Sequence, residues 1–504
     1  MSSTKNIAKN SMFLYFRMFI NMLVGLCTAG IVLNTLGISD YGIYNVVGGF
    51  VSMFGFLNSS MSSATQRFLS FDIGRNDQVQ LGKTFSTTVT IHFVIALVIV
   101  LALETFGLLY INHKLNVPAE RITAVNVVFQ FSVWTFFFGI IQVPYNALIT
   151  AHERFNVYAY ISFLEIGFKL CILFLITHIH YDKLILYSFL LFCSSFITRM
   201  IYRIYCKRNF TESKYQFYFN KTYFKEIFSF TGWNLFGDIA SVANGQGNNM
   251  LLNSFFGTTI NAAYGISGQV NGLVNVFVTN FQMAVNPQII KTYANNRTDK
   301  TMFFMRESAK LSFFLVLIIT MPVLYNLHYI LTLWLKKFPD QTISFIQISM
   351  ISVLLNAISN PLMVGARATG KIKWYQVVVG SLVFLSFPLS YIGLKITNNP
   401  NIVFIMIVVM GLITLGFRLW FLQKMINLNI RVFVKEVLLK IVLATAIILI
   451  LHYLLFQEFG TSTTIINLIL MSLSSVVISI SVIMFFGITK QELNFFKTMV
   501  KKKK

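Results

Sequence analysis

Apolar stretches of about 20 residues or more recur along this whole chain. Backbone inside a bilayer must satisfy its own hydrogen bonds, so stretches of this kind fold as spanning α-helices. Fourteen spans are read, over residues 11–33, 42–65, 86–110, 124–149, 158–178, 184–204, 227–255, 260–286, 311–334, 343–366, 374–396, 401–423, 433–455 and 463–487. They are numbered 1 to 14 in that order. Composition agrees: 56% of the 504 residues are hydrophobic and 11% are charged, an apolar load that a soluble protein could not hide. The first stretch is too long for a signal peptide and lacks a small-residue cleavage site, so it reads as span 1.

Charge tests this count. With the N-terminus cytoplasmic, cytoplasmic segments hold about 32 of the 40 Lys and Arg residues. Outer loops hold Lys114, Arg121, Lys183, Lys336, Lys337 and Lys395, while Arg17 and Lys169 lie inside spans. That asymmetry follows the positive-inside rule. The net charge of +23 therefore orients the chain and meets anionic lipid headgroups. Nucleic acid is not an expected partner, because the charges sit in short loops between spans.

The halves of the chain repeat. Leu36-Gly37 and Tyr41-Gly42-Ile43 recur as Phe256-Gly257 and Tyr264-Gly265-Ile266. Arg75 and Asp77 match Arg297 and Asp299, and Pro144, Ala151, Arg154 and Tyr158 match Pro361, Ala368, Lys371 and Tyr375. An even number of spans per half gives both halves one orientation, related by an axis along the membrane normal. The expected fold is thus an all-α integral membrane protein. Its 14 transmembrane helices form two six-helix lobes, related by a parallel repeat around a central cavity, plus two appended helices. The expected boundaries are an N-lobe at 1–208, a cytoplasmic linker at 209–226, a C-lobe at 227–425, and spans 13 and 14 with a basic tail at 426–504.

Helical spacing places polar residues on single faces. Span 1 carries Arg17 and Asn21, and span 2 carries Tyr41, Asn45, Ser52 and Ser59. Span 7 carries Asn234, Asp238 and Asn248; span 8 carries Tyr264, Asn271, Asn275 and Gln282. These are read as lining the substrate cavity, with Val274 and Phe277 facing lipid. The competing reading is helix packing, since Ser, Gly and Asn knit neighbouring membrane helices together. Arg17 offers a donor fork suited to phosphate or carboxylate. Asp238 is a candidate for ion coupling, as are Glu165 and Lys169, whose i,i+4 spacing also suits a self-neutralised pair. Glu104, near the outer end of span 3, is expected to reach toward the interface.

No enzymatic constellation stands out. The cysteines Cys27, Cys171, Cys193 and Cys206 show no CxxC spacing, and no carboxylate or Cys cluster accompanies the histidines at metal spacing. No cofactor is expected, and transport would draw on a sodium-ion or proton gradient.

The chain resembles the polysaccharide-type branch of the multidrug/oligosaccharidyl-lipid/polysaccharide (MOP) exporter superfamily, and within it the bacterial O-antigen and oligosaccharide repeat-unit flippases. The resemblance rests on Asn6-Ile7-Ala8-Lys9-Asn10-Ser11, Leu36-Gly37 with Tyr41-Gly42-Ile43-Tyr44, Gln66-Arg67, Pro144 with Ala151-His152-Glu153-Arg154, and Phe256-Gly257 with Tyr264-Gly265-Ile266. It implies alternating access that carries an undecaprenyl-diphosphate-linked oligosaccharide from the cytoplasmic to the outer leaflet of the bacterial inner membrane, for O-antigen, lipopolysaccharide or capsule synthesis. Arg17 would meet the diphosphate. Implied partners are the lipid-linked oligosaccharide, membrane lipids, a polysaccharide polymerase and glycosyltransferases. The alternatives are a cation-coupled small-molecule or drug exporter of the same superfamily and a lipid II flippase. The last is disfavoured by the single arginine deep in a stripe.

The expected topology has both termini cytoplasmic. Reporter fusions after Lys114, Lys183 and Lys337 should report outside, and fusions after Asn76, Lys214 and Arg297 inside. One reversed loop in this series would break both the span count and the repeat.

Overall fold

The computed structural model describes residues 54–114, 119–179, 181–218, 220–335, 337–460 and 464–487, with scattered positions between 20 and 51. Most of span 1, part of span 2 and the basic tail lie outside the described residues. Spans 3 to 6 and 9 to 14 are helices long and apolar enough to cross a membrane. The chain is a multi-pass integral membrane protein. Span 2 runs on as the helix Gly55–Arg75. Spans 7 and 8 are Lys221–Phe256 and Thr258–Ala294, of 36 and 37 residues. At 1.5 Å per residue each is about 54 Å long, nearly twice the ~30 Å hydrocarbon core. Their ends must therefore reach past the bilayer.

Several helices run beyond the expected bounds, and two spans are interrupted. Span 9 is Thr298–Tyr325, and a separate short helix covers Leu327–Leu335. Pro322 lies inside the last turn of span 9 and lacks the backbone N–H that would extend its ladder. Asn326 closes the helix, its Nδ2 donating to the Pro322 carbonyl at 3.0 Å. In span 3 the α-helix gives way at Leu103–Gly107 to a π-turn. There Glu104 accepts a hydrogen bond from Gln130 Nε2 of span 4 at 3.0 Å. Glu104 is thus tied to the neighbouring helix.

The chain divides into two compact units, Ala8–Asp238 and Ile239–Lys504 with Met1–Ile7. The division falls inside span 7, and residues 209–226 form no separate unit. The helix pairings repeat between the units. In the first, span 2 packs on 3 and 4, span 3 on 4, and span 6 on 4 and 5. In the second, span 8 packs on 9 and 10, span 9 on 10, and span 12 on 10 and 11. Adding six to each span number converts one pattern into the other.

Backbone geometry repeats as well. Positive φ occurs at Gly37 and Gly257, at Asn76 and Asn296, and at Glu153 and Gly370. Each pair sits at corresponding ends of corresponding helices. Asn76 against Asn296 sets the register of the loop after spans 2 and 8. Asp77 and Arg297 are then the matching N-cap positions, which shifts the sequence match of Arg75 and Asp77 by two residues. The repeated prolines Pro144 and Pro361 are both buried inside spans 4 and 10. The repeated tyrosines Tyr158 and Tyr375 are both buried at the starts of spans 5 and 11.

Spans 13 and 14 dock on span 9. Tyr325 stacks on His452 and Phe456 of span 13, with ring centroids 5.5 and 4.5 Å apart. His452 meets the Ser475 hydroxyl of span 14. Arg306 Nη1 lies 3.4 Å from Glu436. The appended pair is thereby fixed to the second unit by stacking and one ion pair.

Charged groups tie the helix ends of the first unit. Arg121, just before span 4, binds both Asp40 and Asp182, the latter at 2.6 Å. Burial alone would raise the Asp182 carboxyl, but the Arg121 hydrogen bond and two backbone N–H groups hold it below its ordinary value. At the opposite end Asp72 lies beyond residue 65, where the apolar stretch stops. Thr84 of span 3 donates to it, and Thr84 in turn meets the Tyr223 hydroxyl at 2.6 Å. Burial pushes Asp72 up to about 6 against these hydrogen bonds and the nearby Arg67.

Two outcomes are expected. Gly257 combines φ +75° with ψ −167°, a region essentially closed to side chains. Gly257→Ala should destabilise the detergent-solubilised protein by about 1–3 kcal/mol. Gly265→Ala, at a mid-helix site with no atom near the added Cβ, should be neutral or stabilising by up to ~1 kcal/mol. Equal melting shifts for the two would refute the turn assignment. Asp72 holds its proton in the folded state above the pH at which the unfolded chain releases it. Its contribution to stability is therefore greatest below about pH 4 and falls as pH rises through about 6. Asp72→Asn should flatten that part of the stability–pH profile.

Candidate functional site

Polar faces inside a membrane protein must find partners, and the described residues show which partners these are. Arg17, Asn21, Tyr41, Asn45 and Ser52 lie outside the described residues. The remaining candidates fall in two groups, one in each unit.

In the first unit, span 2 meets the first half of span 7. Ser59 Oγ donates to Asp238 Oδ2 at 3.0 Å, and Ser60 Oγ donates to the Thr231 carbonyl at 3.2 Å. Asn234, one turn before Asp238, is fully buried. Asp238 itself is half-buried, and the Ser59 hydroxyl is one of the groups that hold its carboxylate. Glu165 is half-buried and Lys169 is exposed on span 5.

In the second unit the stripe residues bond to helices of the same lobe. Asn248 Nδ2 donates to Asn244 Oδ1 at 2.7 Å, and Asn244 Nδ2 reaches the Val383 carbonyl and Ser386 on span 11. The Tyr264 hydroxyl donates to the Gly245 carbonyl at 3.0 Å. Asn271 Oδ1 accepts from Ser349 of span 10 at 3.1 Å. Gln282 is 4% exposed; its Nε2 donates to Ser312 and to the Ala357 carbonyl, both at 3.0 Å, and its Oε1 accepts from Asn360. Asn275 is half-buried. Val274, expected to face lipid, is instead buried with Val278, Met350 and Val353 in an apolar core between spans 8, 9 and 10. The i,i+3 and i,i+4 spacing of the stripe brings Val274 inward with its neighbours Asn271 and Val278.

Three features escaped sequence reading. Asp72 is buried and hydrogen-bonded rather than sitting in a solvated loop. Arg67 is 5% exposed and lies over the rings of Phe68, Phe71 and Phe230 at 4.5, 4.8 and 5.4 Å. Arg199 lies inside the helix Lys183–Asn209, its Nε donating to Gln142 of span 4 at 3.2 Å. Aromatic residues around Arg67 were visible in sequence; the depth of Arg199 was not. Among the described residues no group of three or more His, Cys, Asp or Glu could hold a metal ion.

Comparison with known proteins bears on the family. Residues 248–392 match the MatE family model. No curated protein sequence matches the chain. Solved structures do. A MATE in complex with MaL6 superposes with TM-score 0.71 at 13% identity, covering 84% of this chain and 96% of its own. An outward-facing multidrug resistance MATE family transporter of the MOP superfamily gives 0.72 at 12%, covering 84% and 95%. A MOP superfamily transporter from Pyrococcus furiosus, described as having a binding pocket of reverse polarity that suggests a different function, gives 0.69 at 13%, covering 84% and 95%.

These findings overturn the oligosaccharide-flippase expectation, with its O-antigen and lipopolysaccharide assignment: the matching family model is MatE, and the matching structures are MATE transporters. The physical reason lies in the motifs that carried it. Gly37 and Gly257 adopt positive φ, and Pro144 and Ala151 are buried inside span 4. Residues in such roles specify the fold, which the branches of a superfamily share. The chain has the two-lobed fold of the MATE transporters of the MOP superfamily, and its residues 248–392 carry the match to the MatE family.

Proposed function

We propose that this protein is a cation-coupled exporter of small amphipathic organic compounds within the MOP superfamily. The observation that carries the reading is the MatE match over residues 248–392, on a fold shared with a multidrug resistance MATE transporter. Asp238 supports it from the chain's own chemistry. An ionisable residue inside a spanning helix is by default a candidate for function, and this one is half-buried, with the Ser59 hydroxyl donating to it.

In this reading Asp238 takes the coupling cation, a proton or sodium ion. Ser59 orients the carboxylate and accompanies its change of charge. A cation moving through 100 mV releases about 2.3 kcal/mol, enough to sustain roughly a 50-fold gradient of a neutral substrate. The coupling requires that cation and substrate bind the two access states with different affinities. Neutral hydrogen-bonding side chains of the polar helix faces, such as the half-buried Asn275 of span 8, meet the substrate. Both termini lie in the cytoplasm, as the excess of Lys and Arg on that side requires, and the membrane is the bacterial inner membrane.

Purified protein in liposomes loaded with ethidium tests this. An imposed proton or sodium gradient should drive ethidium across the membrane. Asp238→Asn should slow gradient-driven movement at least about tenfold. Ser59→Ala, losing one hydrogen bond worth about 1 kcal/mol, should slow it several-fold. Transport by Asp238→Asn equal to wild type under both gradients would refute the coupling role. Wild-type liposomes no faster than protein-free ones would refute the exporter.

A further inference from the structure

Arg199, half-buried on span 6, has a guanidinium that its neighbours satisfy only in part. Its Nε is satisfied by Gln142, while its Nη1 is enclosed and has no hydrogen-bond partner among the described residues. Gly139 of span 4 makes room for it: a Cβ there would stand 3.3 Å from Nη2. A buried guanidinium with an unmet donor is a standing cost that an anion would relieve.

The guanidinium borders a cavity of about 510 Å³ between spans 3, 4 and 6, all within the first unit. Arg203, one turn further on span 6, lines the same cavity and lies beside the Tyr145 hydroxyl. Among the described residues no carboxylate lines it. Tyr215, from the segment after span 6, closes the end nearest the loops, its hydroxyl 3.1 Å from Thr90 of span 3. The rest of the wall is apolar, including Phe93, Phe137, Phe138 and Ile141. Phe93 is 47% exposed on the outer surface of span 3, with Val94 and Leu97 beside it. The cavity therefore joins an arginine pair at one end to a lipid-contacting apolar face at the other.

We propose that this groove binds an acidic phospholipid of the leaflet next to the basic loops. Its phosphate sits between Arg199 and Arg203, and its acyl chain runs along Phe93 and Phe137. The charge complementarity selects an anion, and a bidentate guanidinium suits phosphate oxygens. The apolar wall selects an anion with a hydrocarbon tail rather than free phosphate. Basic pockets between membrane helices on the cytoplasmic side recognise lipid headgroups in this way, and the volume is in the range of ligand sites. The bound lipid would brace spans 3, 4 and 6 of one lobe. This inference does not depend on what the protein exports.

The test uses the purified full chain in mild detergent, titrated with tail-labelled phosphatidylglycerol. Unlabelled phosphatidylglycerol should displace the probe. Phosphatidylcholine should compete about tenfold more weakly, and inorganic phosphate not at all at matched concentration. Arg199→Gln and Arg203→Gln should each weaken binding about tenfold. Lys207→Gln with Arg208→Gln, on the exposed last turn of the same helix, should leave it unchanged and so control for the chain's net charge. Arg203 is exposed, so Arg203→Gln should fold even where Arg199→Gln does not. Wild-type affinity in Arg203→Gln would overturn the proposal. So would an equal loss in the Lys207/Arg208 control, or competition by inorganic phosphate as strong as by the lipid.

Discussion

The constraint on which the rest depends is that lipid offers no hydrogen bonds. Each stretch of backbone within it must close its own ladder, so the chain becomes helices joined by abrupt turns. The turns are where side-chain sterics decide. Gly257 reverses direction between spans 7 and 8 in a conformation nearly closed to other residues. Asn76 and Asn296 end spans 2 and 8 in the left-handed region that Asn tolerates. These turns recur at corresponding places in both halves, and the helix pairings recur with them. Repetition of the turns thus produces repetition of the packing.

Without a hydrophobic force between helices in lipid, close packing and hydrogen bonds hold each lobe together. The second unit shows both. Gln282 bridges span 8 to spans 9 and 10 with three hydrogen bonds, and Asn244 ties span 7 to span 11. Gly365 leaves the space that the thioether end of Met305 fills, so spans 9 and 10 pack closely there. Polar faces therefore do two jobs in one fold, and periodicity alone does not separate them. Asp238 stands apart because it is a carboxylate, able to change its charge, whereas the amide of Gln282 is neutral and bonded to three groups of its own lobe.

Charge is distributed by depth. At the basic ends Arg67 is covered by aromatic rings, and Asp72 is buried beside Thr84. At the other end Arg121 gathers two acids from separate loops. Arg199 combines an enclosed, unpartnered nitrogen with a cavity wide enough for a ligand. The distinction is one of surroundings, since all of these arginines look alike in a basic sequence.

Sequence by itself determined the membrane class, the helices and the parallel repeat. These follow from local properties: apolar length, the 3.6-residue period, and residues such as Gly257 and Pro144 whose backbone limits travel with them. It also placed Ser59 and Asp238 on the faces that meet. Tertiary structure decided what each polar residue does. Val274 is core and not lipid-facing, because the packing of spans 9 and 10 covers it. Gln282 is bonded within its lobe, because Ser312, Ala357 and Asn360 arrive from distant parts of the chain. Arg199 left the basic loop and entered a cavity, because span 6 extends to Asn209 and Gly139 opens space on a different helix. Local propensity is written in neighbouring residues. Burial and partnership arise between helices far apart in the chain, and only their packing assigns them.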